Sequence, residues 1–217
     1  TVIAAIKSHR NSIGIELTDR FYNVAVEAIE EETASQQLSL FSHENELGNY
    51  KLFKGDCSEV LKEISDNNIQ LTVTSPPYAD LIHKVVEDRT LRHKNSAFVS
   101  DNNATTNLYS DDERDLGNMP MDVYIKKVEF IMRELYRVTK PGGYNVWVVK
   151  DFRDTKNKIP YVDLHSKIVD AGQKAGFKYH DLIIWDQNQH RKLVLLGYPS
   201  VFYVNQNHSF IVVLRKI

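Results

Sequence analysis

The sequence predicts one α/β domain, and three observations carry that prediction. Short apolar runs alternate with segments of helical spacing along the chain. A length of 217 residues suits one such domain with an inserted lobe. Several apolar runs end in polar or acidic residues, at Glu16, Asp56, Thr74-Ser75 and Asp151. Open α/β sheets bind their ligands outside the carboxyl ends of the strands.

Composition narrows the class. With 42% hydrophobic and 26% charged residues the chain reads as an ordinary globular protein. No apolar run approaches the roughly 20 residues that span a bilayer. A formal net charge of -2 excludes a protein that holds nucleic acid by bulk charge, so any such contact must come from local clusters. Cys57 is the single cysteine, which excludes an internal disulfide and a Cys-rich zinc pattern and is compatible with a reducing, cytoplasmic setting.

In chain order, Thr1 to Lys7 is an apolar, helix-permissive start. Ser12 to Leu17 reads as a strand with an acidic end, and Asp19 to Glu32 as a helix with Phe21, Val24, Ala25, Ala28 and Ile29 at helical spacing. Thr33 to Asn49 is polar and reads as an exposed loop. Tyr50 to Lys54 is the next strand, and Asp56 is placed to cap a helix over Ser58 to Ile64. Ile69 to Val73 reads as a buried strand. Met121 to Thr139 is a strong helix with Tyr124, Val128, Ile131, Met132, Leu135 and Val138 as its core stripe. Pro141-Gly142-Gly143 ends it, and Tyr144 to Val149 is a buried strand with Lys150-Asp151 at its carboxyl end. Asp151 to Pro160 reads as a charged loop, and Tyr161 to Ala175 as a helix closed by Gly176. In that helix His165 reads as a surface or packing residue rather than a ligand. Tyr179 to Trp185 and His208 to Lys216 are the last strands, joined by a long irregular connection.

The stretch that organises the rest is Thr74-Ser75-Pro76-Pro77-Tyr78. Pro-Pro cannot continue a hydrogen-bonded ladder and makes a stiff, extended corner. That corner suits a flat ring bearing an amino group: a hydroxyl and a prolyl carbonyl accept N–H groups, and the tyrosine face stacks. The bland alternative is a Pro-rich turn beside a core tyrosine. Likewise Glu16 reads either as a ribose ligand or as a solvated acid, and Cys57 as a small packing residue. Between Ala79 and Pro120 lie Lys84, Arg89, Arg92 and Lys94, followed by an Asn-rich polar run, and a second basic patch holds Arg191 and Lys192. Long inserts of this kind contact ligands or are simply solvated.

Thr74 to Tyr78 resembles the catalytic motif of the amino-methylating DNA methyltransferases, which act on cytosine N4 or adenine N6 using S-adenosyl-L-methionine. The run Glu134 to Gly143 resembles the helix-to-strand corner of that fold. The resemblance implies a Rossmann-like methyltransferase fold, mostly parallel with an antiparallel C-terminal strand pair. It implies one domain over 1–217 with a substrate-recognition insert at 79–120. Ser75, Pro76, Pro77 and Tyr78 would be catalytic, and Thr1, Glu16, Asp56, Cys57 and Thr74 would bind the cofactor. Lys84, Arg89, Arg92, Lys94, Arg191 and Lys192 would contact DNA. No metal is required. DNA is the expected partner, with a restriction endonuclease companion left open and monomer and homodimer equally compatible.

One departure stands out. The family's glycine-rich cofactor loop is not in this sequence, which starts at the helix that follows it, so a preceding segment is expected. The competing readings are an RNA or protein-glutamine amino-methyltransferase, and a truncated, inactive fold serving as a nucleic-acid-binding module.

Overall fold

The computed structural model describes residues 1–39, 48–77, 79, 110–154, 157–189, 195–196, 203–204 and 206–217. Its contacts divide the chain into two compact units, Thr1–Ser65 and Asp66–Ile217.

The first unit holds helix α1 (Val2–Lys7), strand β1 (Ser12–Glu16), helix α2 (Asp19–Ser39), strand β2 (Tyr50–Lys54) and the short helix α3 (Cys57–Val60), which tightens into a 3₁₀ turn at Leu61–Glu63. β1 and β2 pair in parallel, Ser12 opposite Tyr50 and Glu16 opposite Lys54. Ile6, Ile29, Val60, Leu61 and Ile64 form its buried core. Gly14 permits close packing of α1 on β1, because a Cβ there would lie 2.6 Å from Leu52 Cδ1 and 2.8 Å from Val2 Cγ2. The expected loop from Thr33 onward is in part helix: α2 continues to Ser39. No Gly or Pro breaks Thr33–Ser39, and the Thr33 hydroxyl donates back to the Ile29 and Glu30 carbonyls at 2.9 and 3.0 Å, so it competes little with the helix.

The second unit is built on strands β3 (Ile69–Thr74), β4 (Thr139–Val149), β7 (Lys178–Asp186) and β10 (His208–Arg215), in the order β3-β4-β10-β7. β3 and β4 run parallel, with Thr74 opposite Trp147. β10 lies antiparallel to both β4 and β7, the C-terminal arrangement the sequence predicts. Helix α4 (Met121–Val138) buries Tyr124, Val128, Ile131, Met132, Leu135 and Val138, the expected stripe. Helix α5 (Leu164–Ala175) buries Leu164, Ile168, Val169, Ala171 and Gly172. Asn145, Trp147, Val149, Val212 and Leu214 are buried residues of β4 and β10. Within that core the Trp147 indole donates to Asn145 Oδ1 at 2.8 Å, so the buried amide is satisfied.

Four expectations need correction here. β3 is not buried: Leu71 and Val73 are 53% and 38% exposed, and among the described residues β3 pairs only with β4. The Pro141-Gly142-Gly143 segment does not separate helix from strand. Pairing begins at Thr139, and the glycines form a bulge in β4, with Gly142 at φ +78° donating its N–H to the Lys216 carbonyl at 2.8 Å. Asp151 to Pro160 is not simply a loop, because β5 (Phe152–Asp154) and β6 (Ile159–Val162) form a hairpin. The following helix therefore starts three residues later than expected, at Leu164, where the Asp163 carboxylate accepts from the Ser166 N–H at 3.2 Å. Gly176 closes it in the left-handed conformation, φ +112°. In the long connection, β8 (Leu195–Leu196) and β9 (Tyr203–Val204) pair antiparallel. The chain returns from the 79–120 region through a turn anchored by Asp115, whose buried carboxylate accepts from the Gly117 N–H at 2.8 Å and the Ser110 hydroxyl at 2.7 Å.

Candidate active site

In the first unit the parallel pairing of β1 and β2 brings their carboxyl ends together. The Gly55 N–H donates to the Glu16 carbonyl at 2.9 Å, which sets Glu16 and Asp56 on one edge. Glu16 is half-buried, and burial pushes its carboxyl above the usual range. Asp56 is buried and caps α3, Oδ1 accepting from the Ser58 N–H at 2.8 Å. Cys57, next in line, is half-buried. Thr1 heads α1 but its side chain caps nothing, and α1 has only six residues.

In the second unit Thr74 ends β3, and Ser75, Pro76 and Pro77 follow at the carboxyl edge of the sheet. Ser75 is exposed, Pro76 buried and Pro77 half-buried. The expected corner is therefore present, with its serine outward and one ring anchored. Beyond it Ala79 is completely buried with φ 47°, a left-handed conformation that costs an alanine about 1–2 kcal/mol. Tyr78, Lys84, Arg89, Arg92, Lys94, Arg191 and Lys192 lie outside the described residues.

The same edge carries a polar cluster that sequence reasoning missed. Asp151 follows β4 and its side chain is 1% exposed. It accepts the His165 main-chain N–H at 3.0 Å and faces the His165 Nδ1 at 2.9 and 3.1 Å. Asp163 approaches the same Nδ1 at 3.0 Å. Carboxylates on both sides fix the ring proton on Nδ1. The Tyr161 hydroxyl takes a hydrogen bond from Gln206 Nε2 at 2.6 Å; burial, then the nearby Asp151 charge, pushes its ionisation up. Beside it, Lys150 Nζ donates to Gln187 Oε1 at 3.0 Å, and Gln187 Nε2 reaches Ser209 Oγ at 3.2 Å. Fourteen residues separate Asp151 from His165, and only the β5–β6 hairpin folds them together. The signal available was an acid at a strand end followed by a histidine at a helix start.

The fold so assembled is the Rossmann-like fold of the S-adenosylmethionine-dependent methyltransferases. A DNA methylase family model matches residues 69–217. The chain belongs to the DNA methylase family. It is 29% identical over 152 residues to the type II beta methyltransferase M.BslI of a Bacillus species, covering 67% of this chain and 13% of that protein. It is 26% identical over 184 residues to the type II methyltransferase M.MjaI of Methanocaldococcus jannaschii, covering 77% of this chain and 56% of that one. Among solved structures, the cytosine-N4-specific PvuII DNA methyltransferase superposes with a TM-score of 0.50 at 16% identity, over 76% of this chain and 48% of that chain, a likeness of fold. The chain thus spans little more than half of one of these relatives and a small part of the other.

Proposed function

We propose that this chain is catalytic sequence of a DNA methyltransferase that moves a methyl group from S-adenosyl-L-methionine to the exocyclic amino group of cytosine (N4) or adenine (N6). The observation that carries the reading is the Ser75-Pro76-Pro77 corner, standing at the carboxyl end of β3 inside the segment matched by the DNA methylase family.

The described residues fit such a cofactor in kind. A half-buried carboxylate at the end of β1 suits a ribose diol, and a buried carboxylate at the end of β2 suits an adenine amino group. Glu16 and Asp56 would take these roles. S-adenosylmethionine, when bound, supplies an activated methyl group on a sulfonium. The remaining task is placement, because an exocyclic amine is a weak nucleophile whose lone pair is delocalised into its ring. Ser75 Oγ and the Pro76 carbonyl would hold the two amine hydrogens, directing the nitrogen lone pair out of the ring plane. Held this way, the amine would face the methyl group that the bound cofactor supplies and would give up one proton to solvent in exchange for it. The Tyr78 ring would stack on the base, a contact worth roughly 1–3 kcal/mol, against the few kcal/mol that extrusion from a duplex costs. Lys84, Arg89, Arg92, Lys94, Arg191 and Lys192 are assigned to DNA contact by their charge in the sequence.

The test is methyl transfer from labelled S-adenosylmethionine to mixed-sequence duplex DNA, with product nucleosides separated by mass. N4-methylcytosine or N6-methyladenine names the base. Label in RNA or in protein glutamine, with none in DNA, overturns the reading.

A further inference from the structure

We infer that Asp151 and His165 form a positioning pair that sets the carboxyl edge of the second unit's sheet for methyl transfer. The inference rests on the proposed amino-methyltransferase function.

The geometry points to alignment rather than to local stability alone. Because β3 and β4 are parallel, with Thr74 opposite Trp147, the Ser75-Pro76-Pro77 corner and the segment from Val149 to Asp151 leave the sheet at the same carboxyl edge. The Asp151 carboxylate, almost wholly withdrawn from solvent, gathers two donors from one other element: the main-chain N–H and Nδ1 of His165 at the start of α5. A buried carboxylate whose acceptors are engaged this way has one orientation, and so do its donors.

The His165 ring carries that orientation into β10. The His165 ring lies flat on Phe210, with centroids 4.1 Å apart and planes at 17°. Phe210 is opposite Val149 in the ladder and meets the His208 ring edge-on at 5.0 Å. The Tyr161 hydroxyl takes the Gln206 amide just before the strand. Through His165, one carboxylate therefore ties together the end of β4, the first turn of α5 and the first residues of β10. Ser75 and Pro76 follow β3 at this same carboxyl edge, beside the strand that Asp151 follows. Asp163 contributes less, since its carboxylate is half-exposed and already caps α5.

The experiment uses the full chain, with four variants. His165→Ala removes the ring. His165→Asn keeps a donor at the Nδ1 position. Asp151→Asn removes the charge and one acceptor, and Asp163→Asn is the control. With the wild type active, Asp151→Asn and His165→Ala should lower kcat about 10–100-fold, the scale of a misplacement of about 1 Å, with KM for DNA changed less than about threefold. His165→Asn should recover most of the loss, and Asp163→Asn should stay near wild type. Wild-type kcat in His165→Ala and Asp151→Asn, or no rescue by His165→Asn, overturns the inference. An amide NMR comparison of wild type and Asp151→Asn separates this from failure of the methyltransferase reading, because it needs no activity. Shifts that reach Ser75 support positioning even if no methyl is transferred. Shifts confined to 151–165 and 206–210 overturn it.

Discussion

Gly172 and Leu214 give the sharpest test of the packing beneath this edge. Gly172 is a buried glycine in the middle of α5, where alanine is ordinarily favoured by about 1 kcal/mol through helix propensity. Here a Cβ would press on Leu214 Cδ1, with Cδ2 and Cγ at 3.2 and 3.3 Å. Leu214 is completely buried, so its side chain has little room to yield. Overpacking of this kind costs about 1–3 kcal/mol, so the clash should outweigh propensity and Gly172→Ala should destabilise the protein by roughly 1 kcal/mol net. Leu214→Ala opens a cavity at a fully buried site and should cost about 3–5 kcal/mol. The double variant removes the clash, keeps the propensity gain and puts a methyl group into the cavity. It should be no less stable than Leu214→Ala alone, a coupling of about 1–3 kcal/mol. Urea unfolding followed by tryptophan fluorescence reads all three, Trp147 lying in the same core. Additive costs within about 0.5 kcal/mol, or a Gly172→Ala variant more stable than wild type, would refute the reasoning.

The other predictions concern the site and the caps. Ser75→Ala should lower turnover at least tenfold and leave the thermal midpoint in place, since Ser75 is exposed; Tyr78→Ala should lose about 1–3 kcal/mol of base stacking, seen as weaker DNA binding or slower transfer. Burial raises the Glu16 carboxyl, so the folded chain holds that proton more tightly than the unfolded chain does. The associated stability is complete below the unfolded carboxyl's range and is lost as pH rises through the folded value. Glu16→Gln should therefore raise the melting midpoint near pH 7, with a gain that closes on acidification below about pH 4, while cofactor affinity measured by calorimetry falls. Gly176→Ala should cost about 1–2 kcal/mol in urea unfolding, from its left-handed backbone and a Cβ placed 3.0 Å from the Tyr136 ring. Asp56→Asn preserves a capping oxygen but turns an amide N–H₂ towards the expected amino group. It should stay within about 0.5 kcal/mol of wild type in stability and bind S-adenosylmethionine more weakly, whereas Asp56→Ala should lose on both measures.

What the sequence revealed follows the reach of its periodicities. The α4 stripe was legible residue by residue, because six apolar side chains at helical spacing admit one buried face. Both ends of α5 carry local signals, but only the closing glycine is unambiguous. Asp163 is obscured as a cap, because Tyr161 and Val162 continue a plausible apolar pattern that in fact belongs to β6. β3 looked buried because an apolar run says nothing about how many neighbours a strand has, and Leu71 and Val73 remain exposed. The β5–β6 hairpin hid among charged residues. Its turn uses Lys158 at φ 57° rather than a glycine, so the remaining signal is the weaker one of Asp154 with Asn157, whose N–H groups reach the Asp154 carboxylate at 2.8 and 3.2 Å. The Asp151–His165 pair was invisible for the same reason, since the hairpin is what makes those residues neighbours.

Two of the acidic strand ends share one physical device. Asp56 and Asp151 both follow a strand, both are buried, and both accept a main-chain N–H from the start of a helix, at 2.8 Å from Ser58 and 3.0 Å from His165. A carboxylate that caps a helix is pinned by the cap, so the side-chain entropy of holding it at the sheet edge is lost on folding rather than on binding. The structural role and the proposed functional one therefore reinforce each other at these positions. Ser75 is the contrasting case: it is exposed, and its direction depends on the buried Pro76 that follows it. Residues of the first kind should show their loss in stability as well as in function, and residues of the second kind in function alone.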